Sequence, residues 1–136
     1  MANKKIEEVE GIGPAYGEKL REAGIKDTDG YLEAAATAKG REALAEKTGI
    51  TKTLILKWAN MVDLFRINGV GGEFAELLEA SGVDTVAELA QRRPDNLAAK
   101  MAEVNEAKKL TRVVPSESQI EGWVAQAKEL PKGMSH

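Results

Sequence analysis

Two short glycine turns are the residues best placed to do chemistry in this chain. Gly11-Ile12-Gly13 and Gly69-Val70-Gly71 each follow one predicted helix and open the next. Glycine permits a positive φ and close approach of another backbone. The amides at the start of the following helix would face outward. They lie at the positive end of the helix dipole, and this arrangement favours anion or phosphate binding. The same turn also joins two helices compactly, so a structural interpretation stays open.

Catalytic and metal chemistry lack suitable residues. The sequence contains no cysteine, and its one histidine, His136, is the last residue. A thiolate nucleophile and a cysteine-based metal site are therefore excluded, and a histidine relay or a histidine-rich metal centre is not expected. Carboxylate pairs such as Glu7-Glu8 are typical of a solvated surface. We expect no enzyme, metal or organic cofactor, although carbonyls of a hairpin could hold a monovalent cation.

Length and charge describe an ordinary small domain. The 136 residues carry 19 Lys and Arg against 22 Asp and Glu, and 43% of them are hydrophobic. This composition predicts a single domain over 1–136 with a real core. No apolar run approaches the ~20 residues that cross a bilayer, and the first residues contain no apolar signal stretch. A cytoplasmic protein without a membrane partner is the expectation.

The elements that must position the two turns form an internal repeat. Both turns lead into an amphipathic segment that stops at Gly24-Ile25 or Gly82-Val83, and Ile55-x-x-Trp58 later matches Ile120-x-x-Trp123. The repeat predicts one unit at about 6–64, a second at about 65–130, and a tail at 131–136. Since the tryptophans occupy helix-spaced apolar positions, core packing is favoured over a partner-binding role.

The local signals are helical throughout. Thr51 and Ser116 are placed to cap long helices, Thr85 a short one, and Pro94 suits a first helical turn. The 51–65 segment has apolar residues on two sides, which predicts a central helix joining the halves. Gly24, Gly49 and Gly82 are expected as left-handed helix stops. The prediction is an all-α fold of eight to ten short helices in two pseudo-symmetric units.

Both glycine segments resemble the helix-hairpin-helix motif. The likeness is carried by Gly11-Ile12-Gly13, Ala15, Leu20 and Gly24-Ile25, and again by Gly69-Val70-Gly71, Ala75, Leu78 and Gly82-Val83. In that superfamily the hairpin amides grip the DNA backbone without reading its sequence. From about 6 to 130, the chain further resembles a bacterial family of unknown function with paired helix-hairpin-helix units. The resemblance implies duplex DNA as a partner.

Charge separates the two hairpins. The predicted nucleic-acid site consists of the first turn, the start of its helix and two cations: Gly11, Ile12, Gly13, Ala15, Tyr16, Lys19 and Arg21. The second turn has no Lys or Arg between Ile67 and Gln91, and Glu73 stands where a phosphate would approach. We therefore expect a structural role for the second hairpin residues, which are Gly69, Val70, Gly71 and Gly72.

A second group of cations follows the second hairpin segment in the sequence. This basic patch comprises Arg92, Arg93, Lys100, Lys108, Lys109 and Arg112. Acidic residues interleave with it, so a solvated surface is favoured over a phosphate site. Two functions remain open: non-enzymatic, sequence-independent DNA binding through the first hairpin, or a protein-interaction or self-associating scaffold that keeps the fold without DNA.

Overall fold

The structure, a computed structural model, describes residues 3–135. A short 3₁₀ helix at Ile6–Glu8 comes first. Eight α-helices follow, in chain order α1 (Pro14–Glu22), α2 (Thr28–Ala35), α3 (Ala38–Thr48), α4 (Lys52–Leu64), α5 (Gly72–Ala80), α6 (Val86–Leu89), α7 (Pro94–Lys108) and α8 (Glu117–Glu129). Within 3–135 the only β-type pairing is an isolated bridge between Lys5 and Asp27. The prediction of an all-α fold is confirmed.

The helix boundaries follow from capping chemistry. The hydroxyls of Thr51, Thr85 and Ser116 each accept a backbone N–H three residues later, at 3.1–3.3 Å. Pro94 occupies the first turn of α7, where its missing N–H costs nothing. These starts are confirmed. So are the left-handed stops, because Gly24, Gly49 and Gly82 all have positive φ.

Helix α4 is the centre of the core. Every residue from 58 to 64 is buried, and α4 contacts α2 and α3 on one side and α5 on the other. The predicted central position of this helix is thus confirmed. The buried Tyr31 hydroxyl of α2 donates to the Ile55 carbonyl of α4 at 2.7 Å, and burial raises the pKa of Tyr31. Helix α8 packs on α6 and α7 in the second half.

A buried ion pair links α4 to the far end of the chain. The Asp63 carboxylate accepts from the Arg66 guanidinium at 2.8 Å and from the Val86 N–H, also at 2.8 Å. Their side chains are only 1% and 7% exposed. Arg66 also donates to the Pro131 carbonyl. The ion pair of Asp63 and Arg66 therefore connects α4, the start of α6 and the segment after α8.

The segment after α8 returns to the first half. Met134 is 2% exposed within the core cluster. The Ser135 N–H donates to the Ala36 carbonyl at 2.8 Å, and Arg41 donates to the Ser135 carbonyl at 2.9 Å. Residues 131–135, which the sequence set apart as a tail, thus pack against α2 and α3. The predicted tail residue His136 lies outside the described residues.

Candidate nucleic-acid interface

The first hairpin is a tight turn held in place by a buried side chain. Gly11 has φ +94°, a conformation that favours glycine. The Ile12 side chain is buried, and its N–H donates to the Val9 carbonyl at 3.0 Å. Gly13 is extended and precedes α1, where Pro14 is the first residue. The buried side chain of Ile12 holds the turn while both glycines stay at the surface.

The start of α1 presents unpaired amides. The first helical hydrogen bond runs from the Gly17 N–H to the Gly13 carbonyl at 2.9 Å. Within residues 3–135, the N–H groups of Gly13, Ala15 and Tyr16 have no acceptor. Gly13 and Ala15 are exposed, and Tyr16 is half-buried. Because these donors lie at the positive end of a helix dipole, the arrangement suits an anion.

An indole N–H points at the back of this hairpin. A Cβ added at Gly11 would lie 3.2 Å from the Trp58 Nε1 atom of α4. The Tyr16 ring meets the Trp58 ring edge-on, with centroids 5.1 Å apart. The positive φ therefore favours glycine at position 11, and a Cβ there would also make a tight contact with the indole. Sequence reasoning placed Trp58 in the core but missed its contact with the hairpin; the matched Ile-x-x-Trp spacing was the available signal.

The two predicted cations of α1 differ in availability. Both Lys19 and Arg21 are exposed. Arg21 is ion-paired with Glu7 of the 3₁₀ helix, and this contact lowers the pKa of the Glu7 carboxyl. Lys19 has no ion-pair partner among the described residues. Lys19 is thus the free cation of the pair, whereas the charge of Arg21 is partly neutralised.

The second hairpin has closely similar local geometry. Gly69 has φ +96°, and a Cβ there would lie 3.1 Å from the Trp123 Nε1 atom of α8. Val70 is buried, and its N–H donates to the Ile67 carbonyl at 3.1 Å. The Phe74 and Trp123 ring centroids are 5.3 Å apart. Turn, glycine and aromatic pair therefore occur in both halves in the same arrangement.

The surroundings of the second hairpin are different. Gln126 of α8 bonds both the N–H and the carbonyl of Asn68, at 2.8 and 3.3 Å. Gly72 lies so close to the Glu8 carbonyl that a Cβ would be 3.2 Å from it. Glu73 is exposed beside the turn. This hairpin is held between α8 and the first half, and a carboxylate accompanies its amides.

The predicted basic patch is only partly free. Arg92 donates to the Ser81 carbonyl at 3.4 Å, and Arg93 pairs with Asp95 at 2.9 Å. The remaining four are exposed and have no ion pair within 3–135: Lys100, Lys108, Lys109 and Arg112. Lys100 and Lys108 belong to one helix, α7. Among the described residues no group of three His, Cys, Asp or Glu could hold a metal, and no helix is long and apolar enough to span a membrane.

The fold and the two turns define an all-α protein with paired glycine hairpins. The chain belongs to a family described as a domain of unknown function (DUF4332), which matches residues 10–130. No curated protein and no solved structure matches the chain. The predicted membership of a family of unknown function is confirmed, and the assignment to helix-hairpin-helix proteins stays a prediction.

Proposed function

We propose that this protein binds the nucleic-acid backbone through its first hairpin, without catalysis and without reading sequence. The observation that supports the proposal is the set of unpaired amides at Gly13, Ala15 and Tyr16 beside the free cation Lys19. A phosphate oxygen would accept from these amides, and the dipole of α1 and the Lys19 ammonium would add charge attraction. Such contacts position a backbone and carry no base information.

We further propose that the two halves are helix-hairpin-helix units. The support is the equivalence of the two turns: Gly11 and Gly69 share a positive φ, Gly13 and Gly71 are extended, and each turn has a tryptophan behind it. Asp27 and Thr85 also correspond. Each is the N-cap of the next helix, and each lies the same number of residues after the left-handed glycine of its turn. In the sequence, Asp27-Thr28 and Asp84-Thr85 match one residue out of register, because the capping residue is the Asp in the first pair and the Thr in the second.

The charge balance predicts weak and salt-sensitive binding. Affinity for DNA comes mainly from cations that neutralise phosphates and release counterions. The hairpin helix offers Lys19, while Arg21 is occupied by Glu7. The net charge of the chain is −3. We expect duplex binding to be measurable at low salt and to fall steeply at moderate salt.

The test is a fluorescence-anisotropy titration of duplex DNA at low and moderate salt. Lys19→Glu is expected to weaken binding by about tenfold, or ~1.4 kcal/mol, since it removes an attraction and adds a repulsion. Lys39→Glu, an equal charge change at an exposed site on α3, is the matched control and should change the affinity much less. Equal losses in the two variants, or no binding at low salt, would contradict the assignment.

One loop favours a second function, protein interaction. Val113 is 70% exposed in the α7–α8 connection, which also exposes Val114. The start of the loop is held by hydrogen bonds: the buried Asn105 side chain bonds both the carbonyl and the N–H of Thr111, at 3.0 and 2.9 Å. The corresponding connection in the first half, between α3 and α4, is much shorter. There, only the buried Ile50 separates the left-handed Gly49 from the cap Thr51. The second half thus adds a longer loop with an apolar tip.

If this loop mediates self-association, Val113→Asp should abolish it. The reason is that burying an unpaired carboxylate at an interface costs several times what valine burial gains. Sedimentation velocity over a range of concentrations is the measurement, with Ser118→Asp as an exposed control at the start of α8. A wild-type protein that stays monomeric and captures no partner in a pull-down would exclude this function.

A further inference from the structure

A cleft of about 330 Å³ lies between α4 and the end of α5. One wall is a stripe of α4, whose residues are three and four apart, and the other is formed by α5 and the loop after it. The lining residues are Thr53, Leu56, Lys57, Asn60, Glu79 and Asp84. None of them belongs to either glycine hairpin, so the cleft is independent of the proposed nucleic-acid site.

Asn60 brings an unsatisfied acceptor to this cleft. The residue is 8% exposed, and its Oδ1 atom has no hydrogen-bond donor among the described residues. A buried acceptor left without a donor destabilises the fold, so such atoms are rare in native proteins. Asn60 lies in the most buried part of α4, where an apolar residue would be expected. The polar amide is therefore unexplained by packing.

Glu79 is unfavourably placed for a charged carboxylate. Its Oε2 atom is buried with no donor among the described residues, and it stands in the last turn of α5, at the negative end of the helix dipole. Burial raises the pKa of the Glu79 carboxyl; the charges of Asp84 and Glu76 add to the rise, and that of Lys57 opposes it. A bound cation that donates hydrogen bonds would relieve each of these penalties.

We propose that the cleft binds an alkylammonium group, supplied by a polyamine or by a lysine side chain of a partner protein. An ammonium carries three donors and no acceptor, which suits the acceptors of Asn60, Glu79 and Asp84. Leu56 offers apolar surface to the attached methylenes. A divalent metal fits less well, because it requires more oxygen ligands than the two carboxylates of this cleft supply.

The test is an NMR titration of the full chain with two probes, spermidine and a lysine blocked at both its amino and carboxyl ends. Saturable shifts are expected at the Asn60 side-chain amide. Glu79→Gln should weaken binding at least fivefold, because it removes the buried charge. Glu73→Gln, the same change at the exposed start of α5, is the control. Lys57→Met should tighten binding, because it removes the competing cation.

Stability without ligand separates this role from a structural one. Because the charged form of Glu79 is disfavoured in the fold, Glu79→Gln should raise the melting temperature at neutral pH. The gain should vanish at a pH below 4.5, the ordinary pKa of a glutamate carboxyl. There the wild-type carboxyl is protonated in both the folded and the unfolded state. If Glu79 stabilised the fold, Glu79→Gln would lower the melting temperature instead.

Both probes share the required chemistry, and the tighter one identifies the source. Tighter binding of the blocked lysine indicates a partner's side chain. Tighter binding of spermidine indicates a free polyamine if it persists at moderate salt, since a gain due only to the extra charges of spermidine would be screened. Absence of saturable shifts with either probe, or equal affinities of Glu79→Gln and Glu73→Gln, overturns the proposal. Neither result bears on DNA binding, which depends on Lys19.

Discussion

Asp63→Ala is expected to lower the free energy of unfolding by about 3–5 kcal/mol, because it leaves the buried Arg66 guanidinium without its carboxylate. The same change removes the acceptor of the Val86 N–H at the start of α6. Arg66 is 7% exposed and packs under Gly133, so water cannot easily replace the lost partner. Urea unfolding followed by circular dichroism measures the loss.

The exposed pair of Arg93 and Asp95 provides the matched control. Its side chains are 74% and 50% exposed, and solvent screening keeps such pairs within about 1 kcal/mol. Asp95→Ala should therefore cost far less than Asp63→Ala. The double variant Asp63→Ala with Arg66→Ala should lose less than the sum of its single changes, since no lone buried charge remains. Similar costs for Asp63→Ala and Asp95→Ala would show that the pair does not act as a buried connection.

Local chemistry made the helices predictable from sequence. Thr51, Thr85 and Ser116 announce helix starts because a hydroxyl at that position can accept a nearby backbone N–H. The apolar positions of α4 cover more than one side, which is why its central place between the halves could be inferred. All these signals act within a few residues. They need no knowledge of which helices meet.

The candidate site was predictable in outline only. The glycine turn and the outward amides of α1 follow from local rules at Gly11 and Gly13. The ion pair between Arg21 and Glu7 does not, because it depends on how the 3₁₀ helix lies against α1. Sequence charge counts treat both cations of α1 alike. Only the fold shows that Lys19 is free and that Trp58 stands behind the turn.

Polar residues inside α4 could not be interpreted from the sequence. Asn60 and Asp63 are both buried, yet a polar residue on a helix is normally read as its solvent face. Their burial arises because α4 is enclosed by α2, α3 and α5 and by the returning chain end. The ion pair of Asp63 and the orphan acceptor of Asn60 are consequences of that enclosure. Both are tertiary features that no local sequence pattern indicates.

The second large effect on stability is expected in the returning chain end. Met134→Ala should lower the free energy of unfolding by about 2–5 kcal/mol. Met134 is part of the core cluster at 2% exposure, and its truncation leaves a cavity beside the first half. Local signals gave no hint of this, since Pro131 ends α8 and suggests that the fold ends with it.

Lys132→Ala is the control for the chain end, because Lys132 is exposed in the same segment and should change stability by less than about 0.5 kcal/mol. Met134→Ala should also speed hydrogen exchange at the Ser135 amide, whose bond to the Ala36 carbonyl depends on the segment staying in place. If both variants unfold at the same urea concentration and Ser135 exchanges equally fast in each, residues 131–135 do not hold the halves together. If only Met134→Ala is destabilised, the chain end is a structural part of the first half, and a chain truncated after Leu130 should be unstable for the same reason.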